Sequence, residues 1–120
     1  MLPLTEFGFD QTYASKGMWG VATYFAVNAS YSDSYSYRLG SSGQRQMFFA
    51  DVILGTPTPE IPSNGALKRP PANPTPPVAD PHGNPVLYDS VCGRTGGSRV
   101  FMSYAPRCRA YPTYLLTYKK

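Results

Sequence analysis

The hydrophobic residues of this chain cluster in short runs that are typical of β-strands. Directly after Gly20, the run Val-Ala-Thr-Tyr-Phe-Ala-Val at positions 21–27 is rich in β-forming residues, which predicts a buried strand. A second strand is predicted from Gln46 to Leu54, because this run is apolar on both faces apart from Asp51. Gly55 ends it.

A short helix is predicted between these two strands. The side chain of Asn28 can accept a hydrogen bond from an unpaired backbone N–H, so Asn28 is the expected cap of a helix from Ala29 to Arg38. Ser32 and Tyr35 lie three residues apart and would share one face of that helix. Residues 40–43, with glycine at both ends, are expected to form a turn.

The C-terminal third predicts two further strands. Segment 86–92 leads into a glycine-rich turn at residues 93–97. A strand is then expected over Arg99 to Tyr104, and a last one over Tyr114 to Tyr118.

A proline-rich segment separates the two halves of this pattern. Residues 56–85 contain ten prolines, and each proline removes a backbone donor and fixes φ. The prediction is one long irregular loop without strand or helix. A linker between two domains is rejected, because neither flank is large enough to fold alone.

These elements together predict an α+β fold. Four or five strands, one helix and the long loop at 56–85 indicate a twisted, mostly antiparallel sheet. A chain of 120 residues has room for one domain.

Composition excludes several settings. No window approaches the roughly 20 apolar residues that cross a bilayer, so no membrane partner is expected. The first ten residues lack the basic region and the apolar run of a signal peptide. Cys92 and Cys108 are therefore expected to be reduced thiols. Two cysteines and one histidine without ligand-like spacing predict no metal site.

The net charge of +4 raises the question of a nucleic-acid partner. Four arginines gather in the C-terminal third without interleaved aromatic residues of the RNA-binding kind: Arg94, Arg99, Arg107 and Arg109. A solvated basic face is the preferred interpretation, and a nucleic-acid or phosphate surface is kept as an alternative.

The common catalytic constellations are almost missing. The one histidine, His82, lies in Asp-Pro-His-Gly-Asn-Pro, and a histidine in such a loop is far more often solvated than catalytic. No acid follows Asp89, and residues 93–97 lack the lysine and the spacing of a P-loop. Hydrolases that depend on paired carboxylates or on a Ser-His-Asp set are therefore poor candidates.

One dense group of aromatic and hydroxyl residues remains. Its members are Tyr24, Phe25, Ser30, Tyr31, Ser32, Tyr35 and Tyr37. They can simply pack a core, with the hydroxyls at its rim. They can also form a pocket for a flat cationic ring, because tyrosine faces attract such a ring and a serine hydroxyl can hold a carboxamide on it. The nicotinamide of NAD+ fits that second interpretation.

The same stretch carries a family resemblance. Thr23-Tyr-Phe-Ala-Val-Asn-Ala-Ser-Tyr-Ser-Asp-Ser-Tyr35 resembles the signature G-x-YFA-x-x-x-S-x-S-x-x-Y of the catalytic domains of poly(ADP-ribose) polymerase-type ADP-ribosyltransferases. Further pieces match in order: Gly8-Phe9-Asp10 with Tyr13-Ala14, Arg45-Gln-Met-Phe48, Pro70-Pro71, Leu87-Tyr-Asp-Ser-Val91 and Arg109-Ala-Tyr-Pro-Thr-Tyr-Leu-Leu-Thr-Tyr118. The resemblance is strongest to the mono-ADP-ribosylating members. It implies the twisted ADP-ribosyltransferase sheet, with residues 1–120 as the C-terminal portion of that domain.

The resemblance also implies residue roles. Tyr24 matches the tyrosine of the family's His-Tyr-Glu triad, which stacks on the nicotinamide, and Tyr35 matches the tyrosine on the opposite face of the ring. Ser32 matches the serine that bonds the carboxamide. Phe9 and Tyr13 fall in the part that corresponds to the donor loop, which closes over NAD+.

Two positions depart from the polymer-forming members. The third triad position falls at Val100 by its spacing from Tyr88, and a shift of one residue would give Phe101. A glutamate there bonds the ribose 2′-hydroxyl in polymer-forming members, and neither residue here can accept that bond, so elongation is expected to fail. The triad histidine belongs to an upstream His-Gly-Thr strand that is not among the 120 residues, and His82 follows the signature instead of preceding it.

Two functions of different classes therefore stay open. The first is an NAD+-dependent mono-ADP-ribosyltransferase that modifies a protein acceptor, releases nicotinamide, and is truncated or impaired in this chain. The second is a catalytically inactive module that binds NAD+, ADP-ribose or another protein. For either, the resemblance implies the nucleus or the cytoplasm.

Overall fold

The computed structural model describes residues 4–5, 8–9, 15–104 and 110–119. This part of the chain is mostly strand, with a single short helix, α1 (Ala29–Ser32), followed by a 3-10 turn (Asp33–Tyr35). In chain order the strands are β1 (Leu4–Thr5), β2 (Gly8–Phe9), β3 (Ser15–Gly17), β4 (Gly20–Ala26), β5 (Tyr37–Leu39), β6 (Gln44–Val52), β7 (Pro57–Glu60), β8 (Ser90–Thr95), β9 (Ser98–Ser103) and β10 (Ala110–Lys119). Within these ranges, no helix is long and apolar enough to cross a bilayer.

Five strands form the larger sheet, in the order β3-β4-β9-β8-β7. All neighbouring strands are antiparallel except β7 and β8, which are parallel. In the β4–β9 pair, Tyr24 lies opposite Met102, and Ala26 lies opposite Val100. Opposed residues point to the same face of a sheet, and side chains alternate along each strand. These four side chains therefore share one face.

That face carries the hydrophobic core. Trp19, at the turn between β3 and β4, is only 2% exposed. The other buried members of the cluster are Ala22, Val91, Val100, Met102 and Tyr104. The indole N–H of Trp19 donates a hydrogen bond to the carbonyl of Ile61 at 3.2 Å. The core thereby ties the β3–β4 turn to the proline-rich segment.

The second sheet has three strands, in the order β10-β6-β5. β10 and β6 are antiparallel, with a bulge between Pro112 and Tyr114. Its apolar side chains are more exposed than those of the larger sheet: Phe49 is 60% exposed and Tyr114 is 68% exposed. The rings of these two residues meet edge to face, with centroids 6.5 Å apart. The strands β1 and β2 form a separate two-stranded ribbon.

The mostly antiparallel pairing of the strands is confirmed, but the described strands form three sheets and not one, and the predicted helix from Ala29 to Arg38 is wrong in length. The helix ends at Ser32, and β5 already begins at Tyr37. Serines at positions 32, 34 and 36 explain the early end, because serine hydroxyls compete for backbone hydrogen bonds and favour turns. The expected helical face shared by Ser32 and Tyr35 therefore does not form.

Asn28 is the N-cap residue, as predicted, but the predicted capping bond of its side chain is wrong. The side chain of Asn28 does not bond the helix start; its Nδ2 donates to the carbonyl of Gly97 at 3.2 Å. The backbone N–H of Asn28 donates to the hydroxyl of Ser98 at 3.0 Å. Asn28 therefore joins the helix to the β8–β9 turn.

The proline-rich segment contains a strand, which the prediction of a strand-free loop excluded. β7 lies at the edge of the larger sheet, where the missing N–H of proline is tolerated. The hydroxyl of Thr58 accepts the N–H of Cys92 at 2.9 Å. Two residues of the Leu87–Val91 piece fix the start of the segment. Asp89 accepts the N–H of Thr56 at 2.7 Å, and Ser90 donates to the Leu54 carbonyl at 2.9 Å.

The remaining predictions differ from the structure mainly at strand ends. The turn expected at residues 93–97 is wrong in its first half, because β8 continues to Thr95. The last strand begins at Ala110 and not at Tyr114, since the bulge accommodates Pro112. The expected count of four or five strands is too low, because strands of two to four residues are too short to show a periodic pattern.

Candidate functional site

Tyr24 has its hydroxyl engaged at the β3–β4 turn. The hydroxyl accepts the backbone N–H of Trp19 at 2.9 Å and donates to the carbonyl of Gly20 at 2.7 Å. The ring lies against Gly17, where an added Cβ would come within 2.6 Å of ring atom Cζ. The candidate triad tyrosine therefore also fixes the geometry of this turn.

A second tyrosine hydroxyl reaches the same turn. Tyr104 is 4% exposed and donates to the carbonyl of Trp19. Burial raises the pKa of both phenols, and in Tyr24 the hydrogen bond from the Trp19 N–H opposes this with a smaller lowering. Both phenols are therefore protonated at neutral pH, and they act as hydrogen-bond donors and not as bases.

The register of the sheet distinguishes the two candidates for the third triad position. Val100 is 2% exposed and lies on the core face with Tyr24. Phe101 lies opposite Phe25 in β4, and therefore on the other face of the sheet. Of the two residues, only Val100 shares a face with the candidate triad tyrosine.

Ser32 is the last residue of α1 and is partly buried. Its backbone N–H donates to the carbonyl of Asn28 at 3.3 Å. Only two residues, Val27 and Asn28, separate β4 from α1. The short connection keeps Ser32 close along the chain to the strand that bears Tyr24.

Asp33 is a residue of this region that the sequence analysis did not select. It is 8% exposed, and its carboxylate accepts hydrogen bonds from Arg45 Nη1 at 3.0 and 3.2 Å and from the hydroxyl of Tyr118. The turn after Ser32 is thereby fixed to the second sheet. One signal was available in the sequence, since Asp33 is the only charged residue between Thr23 and Tyr35.

Three predicted cofactor contacts lie outside the described residues. This applies to Tyr13 as a whole and to the side chains of Phe9 and Tyr35. The expected donor loop spans residues 9–20, and the structure describes it at residue 9 and from residue 15 onward. In that second part it forms β3 and the turn into β4.

The basic residues are partly neutralised where the structure describes them. The carboxylate of Glu60 pairs with Arg94 at 3.0 Å and with Arg99 at 3.3 Å, and all three side chains are exposed. The hydrogen bond from Arg94, followed by smaller effects of both arginines, lowers the pKa of Glu60. Arg107 and Arg109 lie outside the described residues.

The single histidine lies far along the chain from the candidate site. His82 is exposed in the proline-rich segment, and its backbone N–H donates to Asp80 Oδ1 at 2.9 Å. Cys92 is a buried free thiol, and burial raises its pKa. Within the described ranges, no group of three or more His, Cys, Asp or Glu residues could hold a metal ion.

The contact of Ser32 with the nicotinamide carboxamide of NAD+ stays a prediction. The hydroxyl of Ser32 can bond a carboxamide, because this side chain is only partly buried at the end of α1. Two open hollows lie elsewhere on the surface, and neither is lined by Tyr24, Ser32 or Val100. One is lined by residues 66–72, Pro85 and Leu87, and the other by Val27, Asn28, Arg94, Gly97 and Arg99.

Two known proteins resemble nearly the whole chain, although no protein-family model matches it. A protein of Dictyostelium discoideum named as a probable poly [ADP-ribose] polymerase is 34% identical over 117 residues, which cover 97% of this chain and 29% of that protein. The Homo sapiens protein mono-ADP-ribosyltransferase PARP14 is 36% identical over 117 residues, which cover 94% of this chain and 6% of that protein.

The chain thus spans less than a third of the length of either curated relative. Both matches nevertheless extend over almost all of its own residues, and both relatives carry ADP-ribosylation in their names. The ordered motifs from Gly8 to Tyr118 point to the same family. The resemblance to a poly(ADP-ribose) polymerase-type catalytic domain is thereby confirmed.

Proposed function

We propose that this protein uses NAD+ to transfer a single ADP-ribose unit to a protein acceptor, and that it does not build polymer. The observation that carries the proposal is the position of Val100. This residue is buried on the same sheet face as Tyr24, two residue pairs along the β4–β9 ladder. In this proposal Val100 takes the third triad position, and its apolar side chain cannot supply the carboxylate that an elongating enzyme needs.

The charge pattern supports the absence of elongation. No aspartate or glutamate follows Asp89, so β8, β9 and β10 carry no acid that could replace the missing carboxylate. If a glutamate replaced Val100, its buried carboxylate would have no cation to pair with among the buried core residues, because these are all uncharged. A single transfer then depends on a nucleophile and a base supplied by the acceptor.

The proposed chemistry needs few groups from this chain. The bond between ribose C1′ and the nicotinamide nitrogen breaks, a bond from C1′ to the acceptor forms, and nicotinamide leaves as a neutral molecule. The Ser32 hydroxyl would hold the carboxamide, while Tyr24 and Tyr35 would bracket the ring. Fixed dipoles that match the developing positive charge on the ribose lower the barrier without reorganisation.

A second candidate is a module that binds NAD+ or ADP-ribose without turnover. Two observations favour it: the hydroxyl of Tyr24 is already bonded to the backbone at Trp19 and Gly20, and the one histidine, His82, is exposed in the proline-rich segment. Binding of NAD+ without nicotinamide release would distinguish this module from a transferase.

Nicotinamide release from NAD+ in the presence of candidate acceptor proteins tests the proposal. We expect release by the wild-type protein and a loss of about tenfold or more in Ser32→Ala, since one hydrogen bond to the substrate is removed. Ser34→Ala is the matched control, because Ser34 is an exposed serine two residues away. Equal rates in both variants would contradict the assignment of Ser32.

A further inference from the structure

The carboxylate of Asp33 connects the candidate cofactor turn to the second sheet. The side chain is 12% exposed, and the side chain of its partner Arg45 is 19% exposed. Arg45 Nη1 donates to both carboxylate oxygens, and the Tyr118 hydroxyl donates to Oδ1. A buried carboxylate with a paired cation and a further donor is held far more firmly than an exposed ion pair.

The strand register places both partners of Asp33 side by side. Arg45 in β6 and Tyr118 in β10 are directly opposed residues of the antiparallel pair. Opposed side chains project from the same face of a sheet. The two donors therefore lie side by side on the second sheet, and both bond the carboxylate of Asp33 in the 3-10 turn.

The turn itself cannot fix its own conformation. α1 has four residues, no buried residue and no side-chain cap, and isolated helices of that length are not stable in water. Its position must come from tertiary contacts on either side. Tyr31 packs against the core of the larger sheet, and Asp33 bonds to the second sheet. Ser32 lies between these two anchors.

We infer that Asp33 is a positioning residue for nicotinamide recognition. Through Arg45 and Tyr118 it holds the 32–35 turn in the place from which Ser32 meets the carboxamide. The inference rests on the proposed function. It also makes a narrower claim, because loss of the bridge should affect the nicotinamide end of the substrate and leave the ADP-ribose end unaffected.

Two ligands separate a positioning role from a merely structural one. NAD+ carries the nicotinamide, whereas ADP-ribose lacks it. A variant that is only less stable keeps its affinity for both NAD+ and ADP-ribose while it stays folded. A variant whose whole site is distorted loses affinity for both ligands. The ratio of the two dissociation constants therefore reports on the nicotinamide end alone.

The experiment compares dissociation constants for NAD+ and ADP-ribose by calorimetry, in protein that urea titration shows to be folded. The variants are Asp33→Ala, Asp33→Asn and Tyr118→Phe. The last two each keep part of the bridge, so they carry the test if Asp33→Ala fails to fold. Thr117→Val is the control, because it removes the 3.2 Å bond from Gln46 between the same two strands on the opposite face.

We expect Asp33→Ala to weaken NAD+ about tenfold while ADP-ribose stays within about twofold, since hydrogen bonds to charged groups are the stronger ones. Asp33→Asn and Tyr118→Phe should fall between Asp33→Ala and wild type, and Thr117→Val should match wild type. Unchanged NAD+ binding, or equal weakening of both ligands, would overturn the inference alone. A folded wild-type protein that does not bind NAD+ would overturn the proposed function and this inference with it.

Discussion

The hydroxyl of Tyr24 accepts the backbone N–H of Trp19 at 2.9 Å. Because the same hydroxyl donates to the Gly20 carbonyl, one side chain satisfies two backbone groups of the β3–β4 turn. Trp19 is in turn the largest fully buried side chain of the core. The tyrosine that the family resemblance assigns to the cofactor site therefore also stabilises the fold. A mutation of Tyr24 must be tested for its effect on stability as well as for its effect on cofactor binding.

Tyr24→Phe removes only the hydroxyl. We expect the free energy of unfolding to fall by about 1–3 kcal/mol, because the Trp19 N–H and the Gly20 carbonyl lose a partner in a partly buried place. Urea denaturation measures the change. Tyr114→Phe is the control, since Tyr114 is 68% exposed. Equal stability of Tyr24→Phe and wild type would show that water replaces the hydroxyl at the turn.

Gly93→Ala tests the close contact between β8 and the core. A Cβ at Gly93 would lie 2.2 Å from Cζ2 of the Trp19 indole, so the indole or the strand must shift. Overpacking of this kind costs about 1–3 kcal/mol or more. Gly65→Ala is the control, because no atom lies within 4 Å of the added Cβ. It should be neutral or stabilising. A Gly93→Ala protein as stable as wild type would contradict the packing described here.

The strands with long apolar runs could be predicted from the sequence, whereas the short ones could not. β4 and β9 were found within one or two residues of their ends because β-forming residues fill them. β7 was missed because Pro57 and Pro59 argue against a strand anywhere except at a sheet edge. Edge position is set by tertiary pairing with β8, and no local pattern carries that information.

Thr23→Val addresses an unusual polar group in the core. Thr23 is 2% exposed, and its hydroxyl has no hydrogen-bond partner among the described residues. Replacing an unsatisfied buried hydroxyl by a methyl group of the same shape removes a desolvation cost. We expect Thr23→Val to be as stable as wild type or more stable in urea denaturation. A clear loss of stability would show that the hydroxyl has a partner in the folded protein.

Acid should reduce the contribution of Glu60 to the free energy of unfolding. The hydrogen bond from Arg94, with smaller effects of Arg94 and Arg99 charges, lowers the folded-state pKa of Glu60 below its ordinary value of 4.5. A carboxylate with a lowered pKa stabilises the fold fully above the unfolded pKa, and this contribution disappears as the pH falls through the folded pKa.

The comparison of wild type with Glu60→Gln measures that effect. We expect wild type to be slightly more stable at pH 7, with a difference that shrinks as the pH falls below 4.5 and disappears once Glu60 is protonated in the folded protein. High salt should reduce the difference at pH 7, because the three side chains are exposed and screened. If the difference in stability between wild type and Glu60→Gln persists unchanged at low pH, the ion pairs of Glu60 are not its cause.

The candidate site was only partly predictable for a related reason. Tyr24 and Ser32 came from a motif, which records residue types at fixed spacing. The bridge from Asp33 to Arg45 and Tyr118 joins positions 12 and 85 residues apart. Such contacts depend on the pairing of β6 with β10 and on the position of the turn, which spacing along the chain does not reveal. The finding that Val100 shares a sheet face with Tyr24, whereas Phe101 does not, likewise needed the sheet register.

Intact mass spectrometry of an acceptor protein after incubation with this protein and NAD+ tests the central claim most directly. The account predicts discrete additions of single ADP-ribose units, greatly reduced with Ser32→Ala and unchanged with Ser34→Ala. A series of additions would contradict the role given to Val100 if the ADP-ribose units, once chemically released from the acceptor, prove to be linked to one another as a polymer. No addition by a folded protein that binds NAD+ would contradict transferase activity and favour the binding module.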